Sequence, residues 1–130
     1  MNRFECVRRA LPAIALTTDS SNLTSIANDF RFDDVFSRQV EALGREGDVL
    51  VGITTSGDSP NVLEAVTTAQ RLGLRCVVLT GKTGGRAAQA MTPMDIELRV
   101  NDDATARVQE VHLVIIHALC GILDRRFRDS

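Results

Sequence analysis

The sequence predicts an α/β fold, an open parallel sheet with helices on both faces. Short apolar runs of strand length alternate with amphipathic stretches of helix length along the 130-residue chain. One run, residues 49–53, is followed by a hydroxyl-rich turn and a helix start, and ligands of such sheets sit at the carboxyl ends of the strands. The length fits one domain with a moderate core, so residues 1–130 are expected to form a single domain.

The composition is that of an ordinary globular protein, with 44% apolar and 25% charged residues. The formal net charge of -2 provides no basic field, so nucleic acid is not expected as the main partner. No apolar run is expected to approach a membrane span, and the first residues do not resemble a secretory signal, which predicts a cytoplasmic protein without membrane contact. Cys6, Cys76 and Cys120 are predicted to be buried free thiols.

The hydrophobic pattern predicts alternating strands and helices after an irregular leader at residues 1–11. Strands are predicted at residues 12–16, 49–53, 75–80 and 96–100, the last a weaker strand at an edge. Helices are predicted at residues 23–27, from Asp33 or Asp34 to Leu43, and at residues 60–71, 86–91 and 105–127.

The last predicted helix is apolar nearly all the way round. A helix of this kind is buried on most of its faces. Because a chain of 130 residues has little protein to cover it, the pattern predicts a partner subunit.

A hydroxyl-rich turn follows the strand at residues 49–53 and opens into a helix. Ser59 suits the N-cap and Pro60 the first helical position. The first amide groups of a helix lack partners within it, and the macrodipole adds partial positive charge. The turn therefore suits a phosphate group, although the same residues also fit a plain helix cap. Four hydroxyls surround this point, those of Thr54, Thr55, Ser56 and Ser59.

The turn matches neither of the common nucleotide motifs. It lacks the Lys-Ser/Thr ending of a P-loop and the three glycines of a dinucleotide fingerprint. A small phosphorylated ligand fits it better. Residues 81–85, rich in glycine, are predicted to form a turn that lines the same crevice, which Asn28, Asp29 and the start of the last helix could also reach.

Five stretches of the sequence together resemble the bacterial phosphoheptose isomerases, enzymes of the sugar isomerase (SIS) domain family. The resemblance covers the chain from about residue 2 to residue 127. The stretches are LPAIALTTD at residues 11–19, ANDF at 27–30, GDVLVGITTSGDS at 47–59, LTGKTGG at 79–85 and ARVQEVHLVIIH at 106–117.

The resemblance implies a three-layer, flavodoxin-like parallel sheet and an aldose-ketose isomerase. The family converts sedoheptulose 7-phosphate to D-glycero-D-manno-heptose 7-phosphate for lipopolysaccharide heptose synthesis. It implies one zinc ion per site and a homotetramer.

The resemblance also assigns roles to individual residues. It makes Gln109 a catalytic residue that contacts both substrate and zinc, and His117 a zinc ligand. From the residues alone, His117 reads as a core histidine and Gln109 as a surface residue, and His112 has no family role, so packing is expected for it. The remaining substrate contacts implied by the resemblance are Asn28, Asp29, Thr54, Thr55, Ser56 and Ser59.

One departure from the family pattern bears on activity. Family members begin with an N-terminal helical region, a strand with a Gly-Asn-Gly-Gly-Ser loop, and a helix whose His and Glu complete the zinc site. This sequence is expected to lack that N-terminal part, including a central strand, and to form a partial SIS domain that is weakly active or inactive alone. The alternatives are a non-catalytic SIS protein that binds phosphosugars or the replication initiator, and a non-functional remnant.

Overall fold

The computed structural model describes residues 3–128, so that Met1 and Asn2 of the predicted leader and the last two residues lie outside the described part. Three parallel strands form one sheet in the order β1-β2-β3. They are β1 (Val49–Thr54), β2 (Arg75–Gly81) and β3 (Ile96–Val100). All three match strands predicted from the sequence, and β3 lies at the predicted edge.

Five α-helices and one short 3-10 helix accompany the strands in the described residues. The sheet has helices on both faces, which gives three layers as predicted. The helices are α1 (Ser20–Asp29), α2 (Ser37–Leu43), α3 (Pro60–Arg71), α4 (Gly85–Ala90) and α5 (Thr105–Arg126), with the 3-10 helix at Phe32–Asp34.

The main core lies between α3 and the sheet. Val66 and Ala69 of α3 are fully buried with Cys76 and Val78 of β2. α2 and α4 each add a buried residue to the same cluster. This face of the sheet is therefore completely covered along β2.

The opposite face, which carries α5, is covered only in part. A Cβ atom on Gly81 would lie 2.7 Å from a methyl group of Val108, so α5 approaches the end of β2 closely. Successive side chains of a strand point to opposite faces, and Val49, Val51 and Ile53 of β1 are 57%, 53% and 48% exposed. The strand predicted to be buried is thus buried on one face only.

The prediction of a strand at residues 12–16 is wrong. This segment has no regular secondary structure, and Ile14 is 66% exposed. The Gln39 side-chain amide joins it to the domain by donating to the carbonyl oxygens of Leu16 at 3.0 Å and Val35 at 2.8 Å, and the Leu16 side chain packs against the core. An apolar run becomes a strand only where a neighbouring strand accepts its backbone hydrogen bonds, and none does so among residues 3–128.

Two helices differ in length from the prediction. α1 is longer because Asp19 caps it, its carboxylate accepting the Asn22 amide at 3.1 Å. The helix predicted from Asp33 or Asp34 to Leu43 is divided into the 3-10 helix and α2. The Val35 amide donates to the Phe32 carbonyl, which is the tighter bond of a 3-10 turn.

α5 forms as predicted, and the chain by itself leaves much of its apolar surface exposed. Its fully buried residues in the described structure are Val108, His112 and Asp124. By length and composition α5 is also apolar enough to cross a membrane, which corrects the expectation that no apolar run approaches that length; core helices of soluble proteins pass the same test. Its exposed apolar residues are Val111, Leu113, Val114, Ile122 and Leu123.

The predicted leader is irregular, but it is anchored to the end of α5. The Asp124 carboxylate accepts the backbone amides of Glu5 at 2.6 Å and Cys6 at 2.8 Å, and the Arg8 guanidinium at 2.7 Å. The Cys6 amide bond, followed by the Arg8 and Glu5 bonds, outweighs burial and lowers the pKa of Asp124 to about 2. We call this contact the Asp124 anchor.

Candidate functional site

The candidate site is built around residues 54–59, which join β1 to α3 and which we call the hydroxyl loop. Thr54 is only 4% exposed, and its hydroxyl oxygen lies 2.9 Å from that of Ser59 and accepts the Gly57 amide at 3.2 Å. Ser59 occupies the predicted N-cap, but its hydroxyl makes no capping bond to a helix amide. Thr54 and Ser59 therefore hold the shape of the loop from inside.

The outer part of the hydroxyl loop is more open. Thr55 and Ser56 are half-buried, and the Ser56 hydroxyl accepts the Asp58 amide at 3.1 Å. Pro60 is the first helical residue, so the loop runs directly into the positive end of the α3 dipole. Backbone amides and hydroxyl groups at a helix N-terminus are suited to hold an anion.

Residues 81–86, which we call the glycine loop, lie directly against the hydroxyl loop. The Ala87 amide, one residue further on, donates to the Gly57 carbonyl at 2.8 Å. Gly57 has a φ of +75°, and a Cβ atom there would lie 2.0 Å from the carbonyl oxygen of Gly84. The glycine-rich turn therefore lies beside the hydroxyl-rich turn, as the prediction requires.

The first turns of α5 reach the same edge of the sheet. A Cβ atom on Gly81 would lie 2.5 Å from the Thr55 carbonyl oxygen as well as 2.7 Å from Val108, so β2, α5 and the hydroxyl loop meet there. Gln109 follows Val108 and is exposed. The predicted catalytic amide is therefore carried by the part of α5 that packs beside the loop.

His112 packs in the core, in agreement with the structural role expected for it. It is 3% exposed, and its Nε2 lies 2.9 Å from the Thr80 carbonyl oxygen. Its Nδ1 is buried without a hydrogen-bond partner among the described residues. The hydrogen bond ties α5 to the end of β2, next to the glycine loop.

His117, the predicted zinc ligand, lies on a different part of α5. It is exposed, so the reading of His117 as a core histidine is wrong, and its ring stacks on Phe4 with centroids 5.7 Å apart. Gln109 and His117 are separated by two turns of helix, and residues 3–128 contain no group of three or more His, Cys, Asp or Glu side chains placed to hold a metal. The described residues alone do not fit a closed zinc site, which requires about four ligands.

Asn28 and Asp29 lie at the end of α1. Both are exposed, and the Asn28 side-chain amide donates to the Asp29 carboxylate at 2.8 Å. In the described structure these side chains bond to each other and not to the hydroxyl loop.

Two polar clusters at this edge escaped the sequence analysis. The Asp58 carboxylate accepts the Arg86 amide at 2.9 Å, and Glu97 accepts the Thr80 hydroxyl at 2.6 Å while pairing with Arg99. The Arg99 hydrogen bond lowers the pKa of Glu97. Only Arg99 and Glu97 are close in sequence, so no local spacing could have revealed the other contacts.

A three-layer parallel domain with a hydroxyl-rich turn at the carboxyl edge is the architecture of the SIS domain, and the SIS domain family matches residues 1–81. The chain belongs to this family.

Its relatives include proteins named phosphoheptose isomerase. That of Halorhodospira halophila is 54% identical over 125 residues, and that of Azoarcus is 55% identical over 124. These matches cover 96% and 95% of this chain but 63% of each relative, so the chain spans less than two thirds of their length.

Solved structures agree with the sequence matches. A phosphoheptose isomerase from Neisseria gonorrhoeae superposes with a TM-score of 0.85 at 53% identity, covering 85% of this chain and 61% of that one. One from Francisella tularensis gives 0.88 at 47% identity, covering 89% and 63%. The comparisons confirm the resemblance drawn from the five motifs and the α/β fold predicted with it.

Proposed function

We propose that the chain is part of a phosphosugar isomerase that converts sedoheptulose 7-phosphate to D-glycero-D-manno-heptose 7-phosphate. The observation that carries this proposal is the hydroxyl loop at the start of α3, in a chain 54% identical to a protein named phosphoheptose isomerase. The product would serve lipopolysaccharide heptose synthesis in the cytoplasm.

The hydroxyl loop supplies the phosphate site in this proposal. Thr55 and Ser56 contact the phosphate oxygens directly, and Thr54 and Ser59 keep the loop in the binding shape. Phosphate held at a helix N-terminus provides binding energy away from the reacting carbons, which positions them for reaction. Asn28 and Asp29 contact the sugar after a side-chain rearrangement that breaks their mutual hydrogen bond.

The chemistry of the proposed reaction is a proton transfer between neighbouring carbons. A base removes a proton from the carbon next to the carbonyl while the carbonyl oxygen takes up a proton, which gives an enediol. The former carbonyl carbon is then protonated, and the hydroxyl on the neighbouring carbon loses its proton to become the new carbonyl. Gln109 would orient the carbonyl or hydroxyl oxygen through its amide. An amide does not titrate near neutral pH, so Gln109 cannot be that base.

We also propose zinc as the metal of this site. Gln109 and His117 would supply two of its donors, and the other donors would come from outside the described residues. The apolar outer face of α5 supports the further proposal of a homotetramer. Light scattering at micromolar concentration tests it, and a monomer would contradict it.

Ligand binding by the 130-residue chain tests the phosphate site. Titration of sedoheptulose 7-phosphate, followed by NMR, is expected to shift the amide signals of the hydroxyl loop. Ser56→Ala should weaken binding about tenfold, because a hydrogen bond to a charged group is lost. Thr67→Ala, on an exposed position of α3, is the control and should bind normally. Equal affinity for the unphosphorylated sugar would contradict the proposal.

Turnover is measured separately, with and without added zinc. We expect binding with little or no turnover by this chain alone, because the described site lacks an identified base. Normal zinc-independent turnover would contradict that expectation. Binding of the replication initiator without any sugar-phosphate binding would favour the non-catalytic alternative.

A further inference from the structure

Asp58 and Arg86 join the hydroxyl loop to the start of α4. The Asp58 carboxylate accepts the Arg86 amide at 2.9 Å. In return, the Arg86 guanidinium donates to the Asp58 carbonyl oxygen at 2.8 Å and lies 3.5 Å from its carboxylate. Each residue thus contributes both a backbone group and its side chain to the contact. The contact joins the connection between β1 and α3 to the first turn of the helix that follows β2.

Close backbone packing reinforces this contact. The Ala87 amide donates to the Gly57 carbonyl, and the space beside Gly57 is filled by the Gly84 carbonyl. Behind Gly84 lie Glu97 and Arg99, whose side-chain atoms would be 2.4 Å and 2.7 Å from a Cβ atom there. The hydroxyl loop therefore rests on the glycine loop, which rests on the ion pair of β3.

Asp58 is an unexpected residue in a loop that binds phosphate. A carboxylate within the loop repels a phosphate dianion, unless opposite charge and hydrogen bonds offset it. Arg86 and the α4 amide provide both, and they hold the carboxylate against the glycine loop.

We propose that Asp58 and Arg86 are positioning residues for phosphosugar binding, fixing the hydroxyl loop against the glycine loop and neutralising the loop's own carboxylate. This inference rests on the proposed function. Asp58 and Arg86 then support the site through the glycine loop, and neither residue contacts the ligand.

Removal of the contact should weaken ligand binding without unfolding the protein. Asp58→Ala is expected to bind sedoheptulose 7-phosphate about fivefold more weakly, the size of effect that the loss of a capping side chain produces. Asp58→Asn keeps an acceptor for the Arg86 amide and removes the charge, so its affinity should stay within about twofold of the unchanged chain.

Arg86→Ala tests the charge. It leaves the Asp58 carboxylate without its cation, so we expect binding about threefold weaker. The matched control is Arg71→Ala, which breaks the ion pair between Arg71 and Glu41 at the other end of α3. The side chains of that pair are 61% and 56% exposed, and those of Arg86 and Asp58 are 60% and 54% exposed. Arg71→Ala should bind normally.

Hydrogen exchange separates positioning from general destabilisation. The Gly57 amide, which donates to Thr54, should exchange faster in Asp58→Ala while amides of β2 keep their protection. If the chain without substitutions binds the ligand, and Asp58→Ala alters neither the affinity nor the exchange rate of the Gly57 amide, this inference alone would be overturned. No binding by the unchanged chain would overturn the proposed function together with it.

Discussion

The two faces of the sheet differ in how they are held. On the α3 face, Val66, Ala69 and Val78 are fully buried in a continuous apolar core. On the α5 face, the side chains of β1 are about half exposed. Two polar contacts hold α5 there: His112 bonds to the Thr80 carbonyl at the end of β2, and the Asp124 anchor joins α5 to the N-terminal segment. The larger apolar core of the described domain therefore lies on the α3 face, although Leu79 and Val108 are also fully buried on the α5 side. The exposed part of the α5 face is the surface available to further protein.

Truncation of a valine on each face should give the largest difference. Val78→Ala is expected to lower the free energy of unfolding by about 2 kcal/mol, because a fully buried side chain is removed. Val51→Ala, 53% exposed, should change it by less than about 0.5 kcal/mol. Urea unfolding at several protein concentrations measures both. Equal losses, or a Val51 effect that grows with concentration, would show that the α5 face is covered in solution.

Acid should release the Asp124 anchor. The folded-state pKa of about 2 lies below the usual value of about 4, so the anchor contributes stability above about pH 4 that is lost as the pH falls toward 2. The NMR shift of the Cys6 amide, which donates to Asp124, should titrate with a midpoint near pH 2. Asp124→Asn is the control and should abolish this titration. A midpoint near pH 4 would contradict the anchor.

The smallest expected effect concerns the reactivity of the three cysteine thiols. Burial, with Asp95 nearby, raises the pKa of Cys76 to about 12, so only about one thiol in ten thousand is ionised at pH 8. A thiol reagent at pH 8 should label half-buried Cys6 and Cys120 first, and Cys76 only in denaturant. Rapid labelling of all three in native protein would mean that the α3 core opens readily.

The sequence predicted the elements whose pattern is local. β1 to β3, α3 and α5 were recognisable because apolar runs and helical spacing determine them directly. Residues 12–16 show the limit of that reasoning, since their apolar character is the same but no strand pairs with them in the described structure.

The candidate site divides in the same way. The hydroxyl loop was predictable because its hydroxyls, the N-cap and Pro60 are contiguous. The Asp58–Arg86 contact and the Asp124 anchor join residues far apart in the chain, so only the folded structure reveals them. Burial of Thr54 was also hidden, because the sequence does not show which hydroxyl turns inward.

The contact between Gly57 and Gly84 has a consequence for variation of the protein. A side chain at Gly57 is excluded by the backbone of Gly84, and one at Gly84 is excluded by the Glu97 and Arg99 side chains of β3. An insertion or substitution in the glycine loop thus acts on the hydroxyl loop as directly as a change within it. We expect the two loops to vary as one unit, so that transplanting either loop alone from a relative fails where transplanting both together succeeds.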